Sequence, residues 1–244
     1  AIGTGYYLEY SGLYKRGCSD YRRCQKSIDQ RFVLLARPFR GIIAARATPR
    51  KAGRLVLTWF KNPFCRIRSP SMGGELQFAK AKSIDPDLLE GWEDDIPVDT
   101  IFVRREPWMF SWLLEKFPFP EFKLITLISG NSGTSSGNQE GYVLLHQRKQ
   151  DNGLVEGKIV DLFARGWNKD HLDALFYHGV STLIQQGAHI IRYHASHPLF
   201  TALAVAQGFT KSHDQLVILR GPIAEAMGSG RTNLHITFYD HDEA

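Results

Sequence analysis

The sequence predicts an α/β fold built on a mixed sheet, and three observations carry that reading. Gly157 to Phe209 reads strand, helix, strand, helix with a short turn at each junction, and a helix crossing between two strands implies that the strands are parallel. Phe122 to Ile128 and Tyr142 to Arg148 read as a hairpin-like strand pair ahead of that unit. Gln215 to Leu219 and Asn233 to Phe238 then have the apolar character of two closing strands. An antiparallel front with a parallel crossover in the middle is an α/β pattern.

Taken in order, Tyr6 to Arg16 has a weak helical pattern ended by Gly17, and Arg31 to Arg37 is a strand closed by Pro38. Leu55 to Phe60 reads as another strand. Asn62 to Gly74 holds two Pro and two Gly and reads as a linker. A domain boundary near Pro70 divides a segment of residues 1–70 from a unit of residues 71–244. Glu75 to Ala81 is a strand, the acids of Asp85-Pro86-Asp87 suit a helix start for Leu88 to Asp94, and Pro107 to Phe117 is a short aromatic-rich helix. Ser129 to Glu140 is a polar connection. In the central unit, Lys158 to Ala164 is β-branched enough for a buried strand. Leu172, Leu175, Phe176, Val180, Leu183 and Ile184 recur at the spacing of one helix face, which Gly187 ends. His189 to His194 is the next strand, Pro198 opens a second helix, and Gly208 closes it.

Composition sets outer limits. The 244 residues are 43% hydrophobic, enough to fill a core, and no apolar run approaches the roughly 20 residues of a membrane span. The N-terminus lacks both an initiator Met and the order of a signal peptide, so the chain reads as processed or as a fragment. The three cysteines, Cys18, Cys24 and Cys65, form no CxxC pair, which fits reduced thiols in the cytoplasm and no metal site. Net charge is +5, but residues 1–70 alone carry 15 Lys and Arg against three acids, which leaves −7 for the remainder. The basic part therefore wants an anionic neighbour, although no nucleic-acid recognition motif accompanies it.

From Gly74 to Asp242 the order of elements resembles the GCN5-related N-acetyltransferase (GNAT) superfamily, in particular the GNAT-like proteins of bacterial polysaccharide and exosortase systems. The resemblance rests on Phe102-Val-Arg-Arg-Glu before the helix Trp108 to Phe117, on Gly141-Tyr-Val-Leu-Leu and on Ile159-Val-Asp-Leu-Phe. It extends through the helices ending Gln186-Gly-Ala and Gln207-Gly-Phe to the terminal Phe238-Tyr-Asp-His-Asp. An internal similarity adds a tandem reading: Asp29-Gln-Arg-Phe-Val-Leu-Leu-Ala-Arg-Pro parallels Asp214-Gln-Leu-Val-Ile-Leu-Arg-Gly-Pro, so residues 1–70 read as the tail of a first GNAT-like unit.

What the resemblance implies is transfer of an acyl group from acetyl-CoA or another acyl-CoA to an amine of a small molecule, amino sugar or peptide. It places a pyrophosphate loop after the fourth strand, where this chain has Arg165, Gly166, Trp167, Asn168 and Lys169. That stretch keeps the leading Arg and one Gly but lacks the paired small residues of the family's loop. Asn168 or Asp170 also suits a plain helix cap. Asp161 is the candidate general base, and His194 and His197 are further proton-transfer candidates. Ser196 sits with them at the carboxyl edge of the sheet, where ligands bind. The Tyr that many members use as acid falls at Ala204. Two alternatives stay open: a non-catalytic binding module in envelope polysaccharide assembly, and a peptidoglycan-type aminoacyl ligase using tRNA.

Overall fold

A computed structural model of the chain describes residues 25–35, 76–89, 96–97, 100–102, 105–115, 122–129, 138–151, 153–219, 233–235 and 237. The helix expected over Tyr6 to Arg16, the strand Leu55 to Phe60, the linker and its boundary near Pro70 lie outside the described residues. So do residues 130–137 of the polar connection.

Among the described residues seven strands form one sheet: β1 (Gln25–Leu35), β2 (Leu76–Ala81), β4 (Phe122–Ser129), β5 (Asn138–Lys149), β6 (Val155–Ala164), β7 (Ile190–Ala195) and β8 (Thr210–Leu219). Their order across it is β2-β4-β5-β6-β7-β1-β8. A second, two-stranded sheet pairs β3 (Thr100–Phe102) with β9 (Asn233–His235) in parallel. The helices are α1 (Pro86–Leu89), α2 (Pro107–Glu115), α3 (Lys169–Gln185) and α4 (Pro198–Ala206). Helix α1 starts two residues earlier than expected, because Asp85 caps it: its Oδ1 accepts from the Asp87 amide at 3.1 Å.

The predicted crossover is present. Strands β6 and β7 are adjacent and parallel, with α3 between them in sequence. The expected apolar stripe of α3 is what the helix buries: Leu172, Leu175, Phe176, Val180 and Leu183 are all within 1% of full burial, each contributing about 1.5–3 kcal/mol of apolar transfer. Both α3 and α4 end in the same hydrogen-bond pattern. Ala188 N donates to Leu183 O and Gly187 N to Ile184 O, and Phe209 N donates to Ala204 O and Gly208 N to Val205 O. This closure needs a left-handed residue, and Gly187 (φ 93°) and Gly208 (φ 85°) supply it.

The position of β1 was not foreseen. It lies antiparallel between β7 and β8, which are joined by α4. In the β1–β8 ladder Asp29 pairs with Gln215 and Gln30 with Asp214, so the two Asp-Gln dipeptides of the internal similarity face each other.

Candidate active site

The site begins with a defect in β6. Ile159 pairs with Leu145 but Asp161 pairs with Leu144, so Val160 is an extra residue in the strand. Plain alternation would leave Ile159 and Asp161 on one face; the bulge turns Asp161 to the other. Pairing with β7 also ends here. It runs from Glu156↔Ile190 to Ile159↔Tyr193 and no further, although β6 continues to Ala164 and β7 to Ala195. The two strands thus open into a wedge at their carboxyl ends.

On the turned face, Asp161 is 1% exposed and anchors a network drawn from four chain segments. Its Oδ2 accepts from Arg105 Nε and from the Tyr142 hydroxyl, both at 2.8 Å. Its Oδ1 accepts from Arg105 Nη2 at 3.2 Å and from Thr237 Oγ1 at 3.0 Å. Arg105 Nη2 also donates to Thr237 Oγ1 at 3.1 Å. Burial pushes the Asp161 carboxyl up, but the Arg105 charge and hydrogen bonds, the His235 charge and the Tyr142 hydroxyl outweigh it and hold the pKa below the usual carboxylate range. Two bonds to each oxygen fill its lone pairs. The carboxylate is therefore committed to an ion pair rather than open to an acceptor amine.

Beside it, Arg105, Tyr142, Phe163, Trp167 and His235 line a small pocket. Trp167 is 8% exposed and takes a left-handed conformation (φ 49°) directly after Gly166 (φ 62°). Its indole Nε1 is buried without a hydrogen-bond partner among the described residues. Its ring meets those of His197, Phe200 and His235 edge-on at 4.8, 5.0 and 5.4 Å, and His235 stacks on Phe200 at 4.3 Å. His197 caps α4: its Nδ1 accepts from the Leu199 amide at 3.2 Å. A neutral imidazole that accepts at Nδ1 carries its proton on Nε2, so His197 in this state is a donor and not a base. His194 is fully buried. It follows Tyr193, which pairs with Ile159, and alternation therefore sets it on the face that Asp161 shares. Ser196 is half-buried at the turn into α4.

The loop expected to cradle phosphate caps the following helix. Asn168 Oδ1 accepts from the amides of Asp170 at 3.0 Å and His171 at 3.2 Å, and Asn168 N donates to Arg165 O at 3.2 Å. Arg165 reaches back to α1, where Nη2 donates to Asp87 O at 3.1 Å. Gly166 and Lys169 are exposed.

Sequence reasoning missed Arg105, Tyr142, His235 and Thr237. A buried Tyr hydroxyl needs a polar partner, so Tyr142 in an apolar strand was a usable signal. Nothing local pointed to Thr237, which arrives 76 residues after Asp161 in the chain. Among the described residues no group of His, Cys, Asp and Glu is arranged to hold a metal ion, and no helix is long and apolar enough to cross a membrane.

No protein-family model and no curated protein matches this sequence. Solved structures do match. The N-myristoyltransferase of Saccharomyces cerevisiae, determined with bound myristoyl-CoA, superposes with a TM-score of 0.50 at 10% identity, over 79% of this chain and 50% of that one. A GCN5-related N-acetyltransferase from Anabaena variabilis aligns with a TM-score of 0.49 at 12% identity, over 82% of this chain and 42% of that one. The chain thus spans about half the length of the solved structures it matches. Its mixed α/β sheet has the GNAT-type fold that the order of elements implied.

Proposed function

We propose that this chain is an N-acyltransferase of the GNAT type, moving the acyl group of an acyl-CoA onto an amine. The observation that carries the proposal is the wedge between β6 and β7 beyond Ile159 and Tyr193, set beside a buried polar network in a GNAT-type fold. A thioester arm laid in the wedge meets strand edges, and an amine attacking its carbonyl forms the C–N bond as the C–S bond breaks. The amine loses a proton and the leaving thiolate gains one.

In this reading Asp161 holds Arg105, Tyr142 and Thr237 in place, His197 offers its Nε2–H as a donor, and His194 is the candidate base. Residues 1–70 are read, from the internal similarity, as the tail of a first GNAT-like unit whose strand β1 joins this sheet between β7 and β8. The test is release of free thiol from acyl-CoAs, acetyl to myristoyl, against a panel of amino sugars, peptides and small amines. Absence of acyl-CoA binding would sink the proposal. The filled Asp161 carboxylate favours one second reading, a binding module without catalysis, which retained acyl-CoA binding with no thiol release would select.

A further inference from the structure

Resting on that reading, we infer that donor recognition stops at the pantetheine arm: the chain takes its thioester through the wedge without gripping the nucleotide end. The wedge needs only an extended, amide-bearing arm. A pyrophosphate needs amides at the first turn of α3, and two of these, Asp170 N and His171 N, are already engaged. Asn168 Oδ1 takes the amides of Asp170 and His171, Leu172 N donates to Asn168 O, and Asn168 N donates to Arg165 O.

Three further observations keep that turn closed. Asp170 sets an exposed carboxylate in the first turn, so the charge that the helix dipole favours there is supplied by the chain and repels a phosphate. Arg165 is bonded to Asp87 O across on α1. Trp167, between them, is packed among His197, Phe200 and His235, so reshaping the turn means pulling an indole out of the core.

The ligand is thus a pantetheine thioester whose far end is not read. Free CoA and the phosphopantetheine of an acidic carrier protein both present that arm.

Titration calorimetry with acyl-CoA and with S-acyl pantetheine of the same chain, from acetyl to myristoyl, tests this. The expected result is equal affinity within about two-fold, because a phosphate that makes no charge-assisted bond adds nothing. Acyl-CoA tighter by about ten-fold or more, the effect of one such bond, overturns the inference and leaves the acyltransferase proposal standing. If neither thioester binds, both are overturned. The variant Asn168→Gly frees the two amides at little cost to the helix, since Gly is a tolerated cap. It should tighten acyl-CoA by about five-fold or more and leave S-acyl pantetheine unchanged; no gain for acyl-CoA would overturn the role given to the cap. A third arm, an acylated carrier protein, separates the sources. Binding tighter than S-acyl pantetheine assigns the arm to a carrier whose surface is read in place of the nucleotide, and binding weaker than it assigns the arm to free thioesters, with the nucleotide end unread in either case.

Discussion

The two halves of β6 are held by different means. From Glu156 to Ile159 the strand is paired on both edges, with β5 and with β7; from Asp161 to Ala164 it is paired, among the described residues, with β5 alone. Each half carries an ion pair. In the closed half Arg192 Nε lies 3.1 Å from Glu156 Oε2 with side chains 36% and 12% exposed, whereas in the open half Arg105 and Asp161 meet at 2.8 Å with 3% and 2% exposed. A pair with its arginine open to solvent contributes little, about 0–1 kcal/mol, and a fully buried one is costly to break because it leaves a charge without compensation. Where the ladder ends, a side-chain network takes over its work, and that network borders the candidate site.

The largest expected effect breaks the comparison at its buried end. Arg105→Met should lower the unfolding free energy by about 3–5 kcal/mol in urea denaturation, and Glu156→Gln by less than about 1 kcal/mol. Similar losses for the two variants would mean that the halves are not held differently. Acid sensitivity follows from the same pair. The native Asp161 pKa lies below its unfolded value, so its stabilisation is present above the ordinary carboxylate range and is lost as pH falls through the depressed native value. Arg105→Met removes the main charge opposing the burial of Asp161 and should abolish or reverse that dependence.

Next in size are two glycines beneath α3. A Cβ on Gly141 would stand 2.5 Å from Phe163 O and 2.8 Å from Leu175 Cδ1, whereas one on Gly157 would stand 3.1 Å from the Leu183 methyls. Backbone cannot yield as a leucine rotamer can. Gly141→Ala, on β5 opposite the open half, should therefore cost about 1–3 kcal/mol and Gly157→Ala in the closed half about 1 kcal/mol or less, compared by thermal melting.

His146, stacked on Phe122 at 4.6 Å, sharpens the comparison from the neighbouring strand. Burial first, and then the Lys158 and Arg148 charges, lower its pKa from 6.5 to about 4. The native state thus favours the neutral ring. Its stabilisation is complete above pH 6.5 and is lost as pH falls from there toward about 4. His146→Phe should flatten the stability profile across that window, and an unchanged slope would show that another group is titrating.

Local periodicity made the crossover and the α3 stripe legible, because each depends on residues a few positions apart. The Asn168 cap was legible for the same reason, as one of two candidate caps. What could not be read depends on distant strands. The bulge at Val160 appears only once Leu144 and Leu145 are in register with β6, and it alone decides which face Asp161 takes. Arg105 showed as a charge beside a helix, but its burial and its partner depend on Asp161 and Thr237, far along the chain. The slot of β1 follows from pairing across nearly the whole sequence, which no window of residues encodes.

The smallest effect lies just past the open half, at the cap of α3. Asn168→Ala removes the acceptor for the Asp170 and His171 amides and should cost about 1 kcal/mol, whereas Asn168→Gly should cost only a few tenths of a kcal/mol. The difference arises because glycine lets water reach the freed amides and adopts the cap backbone without strain, while alanine shields them and offers no oxygen. The alanine loss should appear as a lower denaturation midpoint with an unchanged slope, since only stability changes. Equal losses for alanine and glycine would mean that the Asn168 side chain is bonded elsewhere in solution, and the turn after β6 would then be an open helix end like the strand edge it follows.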